Sequence, residues 1–227
     1  NGVRCIVLRT TEFYSKERLG DMIRTIRTRV PGRYEIGLNI GEFDLTTANW
    51  LHQCGVDFIY HSLRLGEGRE TRFEPQVRMD TLRAVQQSPL KLVFLVEPVG
   101  IEHTNEEIAD ICLLTADCNA IVSGAMARIP VPGTPLGNHP QISNERLAQI
   151  IAVARLACGA HVPDICVHPG TQLAMEFGAN VTVIETGSIP RDVCCCSGGK
   201  WNQFDAPKAK QLFAAAGYTV HQTAEGD

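Results

Sequence analysis

The stretch NAIVSGAMARIPVPGTPLGNHPQISNERLAQIIAVARLACGAHVPDICVHPG, residues 119–170, contains one complete strand–helix–strand unit. Apolar runs at 119–124 and 164–168 have the length and composition of buried strands. Residues 144–158 between them have the apolar periodicity of an amphipathic helix. Two strands that are buried on both faces and joined by a helix form a parallel pair. The stretch therefore predicts an α/β fold with a parallel sheet.

The same alternation continues along the whole chain. Further apolar, β-branched runs occur at 3–8, 34–39, 57–61, 91–96 and 180–185. Amphipathic stretches lie near 15–29, 44–54, 74–87, 105–115 and 169–178. This strict alternation favours a (β/α) TIM-type barrel that forms one domain over residues 1–227. A doubly wound open sheet is the alternative, but the sequence lacks the glycine-rich first turn that is typical of that fold.

Two local signals mark helix starts. Asp44 precedes LTTANWL and is predicted to be an N-cap, and Thr104 with Glu107 has the spacing of a capping box. These signals support the helices predicted near 44–54 and 105–115.

The composition restricts the classes of function. With 227 residues, 44% of them hydrophobic, the chain is long enough to bury a core. Its formal net charge is -4 and it contains no polybasic run, so nucleic acid is not an expected partner. No apolar run approaches the roughly 20 residues of a membrane span, and the first residues do not resemble a signal peptide. We expect a soluble, cytoplasmic protein with no membrane partner.

The chain has nine cysteines, an odd number. Five of them lie inside apolar periodic segments and are predicted to be small buried hydrophobic residues: Cys54, Cys112, Cys118, Cys158 and Cys166. A disulfide framework is therefore not expected.

Polar residues follow the predicted strands at the point where each strand ends. In parallel barrels the carboxyl ends of the strands form one face, and the active site lies there. Burying many ionisable groups in one cavity is costly unless a polar ligand binds among them. The ionisable residues at these strand ends are Arg9, Glu12, Glu42, Arg64, Glu97, Arg128, His168 and Glu185.

Three segments in the second half of the chain resemble a known family. They are RIPVPGTPLGNHPQISNERLAQIIAVARL (128–156), GANVTVIETGSIPRD (178–192) and KAKQLFAAAGYTVHQT (208–223). They are similar to the C-terminal half of biotin synthase and its radical S-adenosylmethionine (SAM) relatives, including HydE and PylB. The most specific element is I-P-x-P-x-T-P-L at 129–136. The resemblance implies that 128–227 is the part that these enzymes share with thiamine-pathway enzymes.

The resemblance implies two cofactors, SAM and a 4Fe-4S cluster. Glu12 occupies the position of a turn that receives the methionine amino group, and Arg78 matches a helix arginine that pairs with the methionine carboxylate. The turn at Val99–Gly100 resembles the backbone that lies against adenine, and Ile129 with Pro130 matches the opposite side of the cofactor. The complete set of implied cofactor-binding residues is Thr10, Thr11, Glu12, Asn39, Arg78, Val99, Gly100, Ile129 and Pro130.

The remaining strand-end residues are candidates for binding a substrate. Cations beside the cavity indicate a small anionic or carboxylate-bearing molecule, which a 5′-deoxyadenosyl radical would attack. The implied chemistry also requires an external electron donor. The candidate substrate residues are Ser62, Arg64, Glu97, Arg128, His168 and Glu185.

The sequence departs from the family pattern at the cluster. The family's three-cysteine loop follows its first barrel strand, and these 227 residues do not contain it. Because the chain opens where the second family strand is expected, we predict that the first βα unit and the cluster cysteines precede Asn1. The barrel would then lack one βα unit, and we expect the fragment alone to be inactive.

A second departure concerns the reaction. The cysteines that hold biotin synthase's additional, sulfur-donating cluster align close to Ile6, Gly37 and Phe94, and an arginine that holds it aligns near Val167 or His168. None of these can act as a thiolate ligand, so sulfur insertion into dethiobiotin is disfavoured. The segment VIETGSIPRD (183–192) is most similar to the HmdB/HcgA type, which is associated with building the iron–guanylylpyridinol (FeGP) cofactor of Fe-hydrogenase. HydE-like and PylB-like activities are the alternatives.

Two hypotheses from other functional classes remain open. An ordinary barrel lyase or hydrolase would use Glu42, Glu97, His168 or Glu185 as general acid or base. A carrier protein would hold a metal on its cysteine tail. Adjacent cysteines cannot all face one metal without a sharply folded backbone, so that tail is expected to be at most an auxiliary site. The tail consists of Cys194, Cys195 and Cys196.

Overall fold

The computed structural model describes residues 3–184 and 204–219. The first half alternates β1 (Cys5–Arg9), α1 (Lys16–Arg29), β2 (Glu35–Asn39), α2 (Leu45–Gln53), β3 (Phe58–Tyr60), α3 (Pro75–Gln86) and β4 (Lys91–Val93). The second half continues with β5 (Val96–Val99), α4 (Asn105–Asp117), β6 (Val122–Ala127), α5 (Asn144–Cys158), β7 (Asp164–His168), α6 (Gln172–Glu176), β8 (Val181–Thr182) and α7 (Ala206–Ala215).

The strands form one parallel sheet in which spatial order follows chain order. The path runs β1-β2-β3-β4-β6-β7-β8, and β5 pairs with β6 beside β4. A doubly wound sheet would reverse its order at a switch point, so consecutive order excludes that alternative. The sheet is the curled, partial TIM-type barrel that the sequence predicts. Among the described strands, β1 and β8 are its two ends and do not pair with each other.

The core lies between the sheet and the helices. On β2, Ile36 and Leu38 are buried in the same cluster as Leu19 and Ile23 of α1. Because side chains alternate along a strand, Gly37 and Asn39 face the opposite side, the interior of the barrel. The same alternation directs Tyr60 and Glu97 into that interior.

Both predicted helix starts are confirmed. The Asp44 side chain accepts a hydrogen bond from the Thr47 N–H at 2.8 Å. Thr104 and Glu107 form a reciprocal capping box. Helix α5 has the same bounds as predicted, 144–158.

Two predicted strands were wrong in detail. The predicted strand at 91–96 is two short strands, β4 and β5, because Phe94 and Leu95 leave the regular pairing and the Leu95 N–H donates to the Ser62 hydroxyl at 3.2 Å. The strand predicted at 119–124 begins at Val122 and continues to Ala127. Residue Asn119, at a positive φ of 54°, ends the preceding turn instead.

A glycine determines how closely β6 and β7 approach. Gly124 has a φ of 124°, and a Cβ at this position would lie 1.9 Å from the carbonyl oxygen of Cys166. Any side chain would therefore be strained and would collide with backbone. Glycine is required at this point of the sheet.

The first strand differs from the others in exposure. On β1, Ile6 and Val7 are each 43% exposed, and the preceding Val3 is 55% exposed. The central strands, by contrast, are almost entirely buried. In the described part of the chain, no helix combines the length and apolarity needed to cross a membrane.

Candidate active site

A polar cavity lies at the carboxyl ends of β1, β2, β3 and β5. The strand-end rule predicted this location. The cavity is lined by Thr10, Glu12, Asn39, Ile40, Gly41, His61, Ser62, Arg64, Arg78 and Glu97. Seven of these residues are among the sequence-predicted site residues. Ile40, Gly41 and His61 are additional.

Arg78 is the most strongly held cation of the cavity. Its side chain is 7% exposed, and its Nε donates to Glu67 Oε2 at 3.2 Å. Its Nη1 donates to Glu42 Oε1, and the guanidinium lies 4.8 Å from the centroid of the Phe73 ring. Two carboxylates thus offset the charge of Arg78, and Nη2 is the group left for a ligand.

Glu42 is surrounded by donors. It accepts hydrogen bonds from Arg78 and Thr81, and His61 Nε2 lies 3.2 Å from its Oε2. Burial alone would raise the pKa of Glu42, but the His61 contact, the Thr81 hydrogen bond and the Arg78 charge outweigh burial and lower the pKa. A carboxylate held ionised in this way is a poor proton acceptor. Glu42 is therefore a poor candidate for the general base of a lyase or hydrolase.

Glu97 is the buried acid of the barrel interior. It is 3% exposed, and its Oε2 accepts a hydrogen bond from the Tyr60 hydroxyl. Its backbone carbonyl accepts from the Leu65 N–H at 2.8 Å. Both contacts connect Glu97 to the end of β3, so its position is fixed from two sides.

Two of the predicted polar residues have structural partners. The Ser62 hydroxyl accepts the Leu95 N–H at 3.2 Å, and the Asn39 amide donates to the Tyr60 carbonyl at 2.8 Å. Both groups connect neighbouring strands at the floor of the cavity. Arg64 differs, because within the described ranges its guanidinium has no hydrogen-bond or ion-pair partner.

The loop after β1 forms one wall of the cavity. The Thr10 N–H donates to the Asn39 carbonyl at 3.1 Å, and its hydroxyl donates to the Thr11 carbonyl at 3.0 Å. Gly41 permits this approach, since a Cβ there would lie 2.9 Å from the Cα of Glu12. Glu12 lies exposed at the rim, and Thr11 is not part of the lining.

Arg128 lies outside this cavity and has a partner of its own. Both of its terminal nitrogens donate to Glu102, one of them at 2.8 Å. The hydrogen bond from Arg128 is the main cause that lowers the pKa of Glu102 to about 2, with a further contribution from His139. A guanidinium held by both nitrogens is not available to a substrate without breaking that pair.

A nearby trio has the composition of a metal site. Glu70, Glu102 and His103 bring one ligand atom each within 4.8 Å of one another. However, His103 Nδ1 accepts the Gly100 N–H at 2.9 Å, so the neutral ring carries its proton on Nε2. Nε2 lies 3.3 Å from Glu70 Oε1 and 3.6 Å from Glu102 Oε1, and it has no hydrogen-bond partner among the described residues. With its proton on Nε2 and Nδ1 already accepting, the neutral ring has no free lone pair for a cation.

The implied adenine-side residues lie apart from the polar cavity. Val99 is buried in the core, and Ile129 and Pro130 are half-buried. Gly100 lines a second groove with Ile101, His103, Gln141, Ile142, Ser143 and Arg146. Both backbone groups of Gly100 already bond to His103. A ligand at Gly100 would therefore make van der Waals contacts with this residue instead of backbone hydrogen bonds.

The remaining predicted site residues are distributed differently. His168 is half-buried at the end of β7 and does not line the polar cavity. Glu185 and the tail cysteines 194–196 lie outside the described residues.

The described cysteines are poor metal ligands. The five predicted to be buried are buried, and Cys5 is exposed. Burial raises the pKa of Cys112 to about 11 and that of Cys166 to about 12. Thiolate is the form that binds metal, so these positions favour the neutral thiol.

Four residues that shape the cavity were not predicted as site residues from the sequence: Tyr60, His61, Glu67 and Thr81. Tyr60 and His61 belong to the predicted strand end DFIYH, so their placement beside Ser62 was a usable signal. Glu67 and Thr81 offered none. They reach the site through side-chain contacts to Arg78 and Glu42.

Comparison with curated proteins finds biotin synthases. The chain is 28% identical over 188 residues to the biotin synthase of Persephonella marina, a match that covers 79% of this chain and 51% of the relative. It is 26% identical over 162 residues to that of Sulfurihydrogenibium, covering 67% of this chain and 46% of the relative. The chain thus spans about half the length of the curated relatives it matches. No family model matches it.

Comparison with solved structures shows the fold. The methylornithine synthase PylB superposes with a TM-score of 0.77 at 17% identity, covering 94% of this chain and 67% of the other. The FeFe-hydrogenase maturase HydG from Carboxydothermus hydrogenoformans gives a TM-score of 0.66 at 13% identity, covering 80% and 47%. Together with the sequence matches, these neighbours support the resemblance to biotin synthase-like radical SAM proteins.

Proposed function

We propose that this chain is the larger part of a radical SAM enzyme's barrel, and that the enzyme abstracts hydrogen from a small substrate. The proposal is carried by one observation: a polar, ionisable cavity at the carboxyl ends of consecutive parallel strands, in a chain that is similar to biotin synthases. In parallel barrels this face holds the chemistry.

The cavity suits the methionine end of SAM. The exposed Glu12 carboxylate at the rim accepts from an ammonium, and Nη2 of Arg78 donates to a carboxylate. When bound beside a reduced iron–sulfur cluster, SAM supplies radical hydrogen abstraction. The chain's own contribution is to orient the two reactants and to exclude water and other hydrogen donors.

The described cysteines do not fit a 4Fe-4S cluster. A cluster takes closely spaced thiolates, whereas Cys5 is alone on β1 and burial favours the neutral thiol at Cys112 and Cys166. No step of the proposal therefore runs through the described cysteines. We propose that the cluster ligands lie outside the described residues.

The geometry also argues against sulfur insertion. A Cβ at Gly37 would lie 2.1 Å from the Phe58 ring, so a thiolate at this position requires that ring to move. Phe94 is fully buried in the core between sheet and helices, and Ile6 offers no ligand atom. These positions support a relative that uses the radical without a sulfur-donating cluster.

For the reaction we propose cofactor maturation of the HmdB/HcgA type, in building the FeGP cofactor of Fe-hydrogenase. The support is the similarity of residues 183–192 to that type, together with the absence of thiolates at the positions named above. Such an enzyme requires an external one-electron donor. HydE-like and PylB-like chemistry is the second candidate, favoured by the structural likeness to PylB.

The product of the complete open reading frame tests the proposal. After anaerobic reconstitution with iron and sulfide, we expect iron–sulfur absorbance and 5′-deoxyadenosine formation from SAM with dithionite. Glu12→Gln, at the exposed rim of the cavity, should reduce that formation while the cluster absorbance stays unchanged. Protein that is folded but shows neither signal would contradict the proposal.

A further inference from the structure

Glu97 is a buried acid without a cationic partner. It is 3% exposed, yet none of the Lys, Arg or His residues that the structure describes forms an ion pair with it. The other buried acid of the region, Glu67, has Arg78 at 3.2 Å. Burying an unpaired carboxylate is expensive, so a site that retains one indicates a ligand that supplies the missing positive charge.

The geometry presents one oxygen of Glu97 to the cavity. Oε2 accepts the Tyr60 hydroxyl, and the backbone carbonyl is held by Leu65. Oε1 has no hydrogen-bond partner among residues 3–184 and 204–219, and Glu97 is part of the cavity lining. Tyr60 thereby fixes the rotation of the carboxylate and leaves Oε1 for a donor on a ligand.

Cys166, on β7, lies on the same side of the sheet as Glu97. The pKa of Cys166, on β7, is raised to about 12, first by burial and then by the negative charge of Glu97. Cys166 is on the interior side of β7 by strand alternation. Neither Glu97 nor Cys166 belongs to the core cluster between sheet and helices, so both lie on the interior side of the barrel.

The same cavity contains an unpaired cation. Arg78 is held by two carboxylates and Arg128 by Glu102, whereas the Arg64 guanidinium has no described partner. Arg64 and Glu97 are held close in the chain fold, because Leu65 N–H bonds to the Glu97 carbonyl at 2.8 Å. One open anion and one open cation thus line a single cavity.

We propose that this cavity binds a free α-amino acid as the substrate, with its ammonium on Glu97 Oε1 and its carboxylate on Arg64. The inference rests on the proposed radical SAM function, for which it names the substrate class. Tyr60 is a positioning residue, since it acts through Glu97. Glu12, at the rim, remains the acceptor for the amino group of SAM.

Isothermal titration calorimetry of the chain against the twenty proteinogenic amino acids tests the inference. Each amino acid is compared with its N-acetyl form, which lacks the ammonium, and its carboxamide, which lacks the carboxylate. At least one free amino acid should bind with a Kd below about 1 mM, and each derivative should bind at least about tenfold more weakly, the size of one lost charge-assisted contact.

Variants test whether Glu97 binds the ammonium and Arg64 binds the carboxylate. In Glu97→Gln, the free amino acid and its N-acetyl form should bind with the same Kd. In Arg64→Gln, the free amino acid and its carboxamide should bind with the same Kd. Tyr60→Phe should weaken binding of the free amino acid by about three- to tenfold and leave binding of its N-acetyl form unchanged. The matched surface controls are Glu106→Gln and Arg83→Gln, which should behave like the unaltered chain. Circular dichroism confirms that each variant is folded.

Three results would overturn the inference: no amino acid binds to the folded chain, the derivatives bind as well as the parent, or binding is restricted to methionine and SAM. The last result would assign the Arg64–Glu97 pair to the cofactor. Formation of 5′-deoxyadenosine without amino acid binding would remove this inference alone. Amino acid binding to the chain, combined with a reconstituted product of the complete open reading frame that leaves SAM intact, would instead contradict the proposed function.

Discussion

Replacing Arg78 by leucine removes the cation from the most deeply buried ion-pair network of the cavity. The Arg78 side chain is 7% exposed, and its partners Glu67 and Glu42 are 2% and 26% exposed. Two carboxylates lose their cation at once. Because breaking a buried pair leaves an uncompensated charge, we expect the free energy of unfolding to fall by about 3 to 5 kcal/mol at pH 7.

The same network predicts how this loss depends on pH. Arg78 is among the causes that lower the pKa of Glu42, so the stability it contributes is present above the unfolded-state pKa and is lost as the pH falls. The difference between Arg78→Leu and the unaltered chain should therefore stay constant from pH 7 to about pH 5, and it should shrink as the pH falls below the ordinary carboxyl pKa of 4.5. Adding Glu67→Gln to Arg78→Leu should recover part of the loss, since it removes one buried charge.

Urea denaturation followed by circular dichroism measures these differences. The control is Arg83→Leu on the same helix, where the arginine is 55% exposed and pairs with an equally exposed Asp80. Such a surface pair contributes about 0.5 kcal/mol or less. An Arg78→Leu loss below about 1 kcal/mol, or a loss that does not change as the pH falls below 4.5, would show that Arg78 does not stabilise Glu42 and Glu67.

Three further predictions concern the network around Arg128, the sheet and the thiols. Glu102→Gln should destabilise the chain by about 2 to 3 kcal/mol at pH 7 in urea denaturation, because the pKa of Glu102 is held near 2 by Arg128. That difference should vanish as the pH falls from 4.5 toward 2, and a constant difference would contradict the assignment. Gly124→Ala should abolish cooperative thermal unfolding, whereas Gly133→Ala, also at positive φ but with open space around it, should cost about 1 to 2 kcal/mol. Iodoacetamide footprinting by mass spectrometry should modify Cys5 well before the buried thiols, and equal rates would show that the sheet is open.

The elements that could be predicted are those set by local sequence. Helix α5 begins and ends where its apolar periodicity does, and the start of α4 follows from the Thr104–Glu107 box. The break between β4 and β5 could not be predicted, because it depends on the hydroxyl of Ser62, 33 residues earlier in the chain.

The sequence indicates which residues line the cavity, but it does not indicate which ion pairs they form. Because parallel strands end on one face, Glu12, Arg64 and Glu97 could be expected in one place, and they are. Which cations are already neutralised depends on tertiary contacts. Arg128 follows a strand end, where a substrate ligand is expected. Its guanidinium is nevertheless occupied by Glu102, which lies in the loop before α4.

Radical SAM chemistry at the strand-end cavity is the proposed function of the full protein. Anaerobic assay of the reconstituted full open-reading-frame product with SAM and dithionite, with 5′-deoxyadenosine quantified by mass spectrometry, tests it most directly. We expect 5′-deoxyadenosine in an amount that depends on both reductant and cluster content. Folded, iron–sulfur-loaded protein that leaves SAM intact would contradict it.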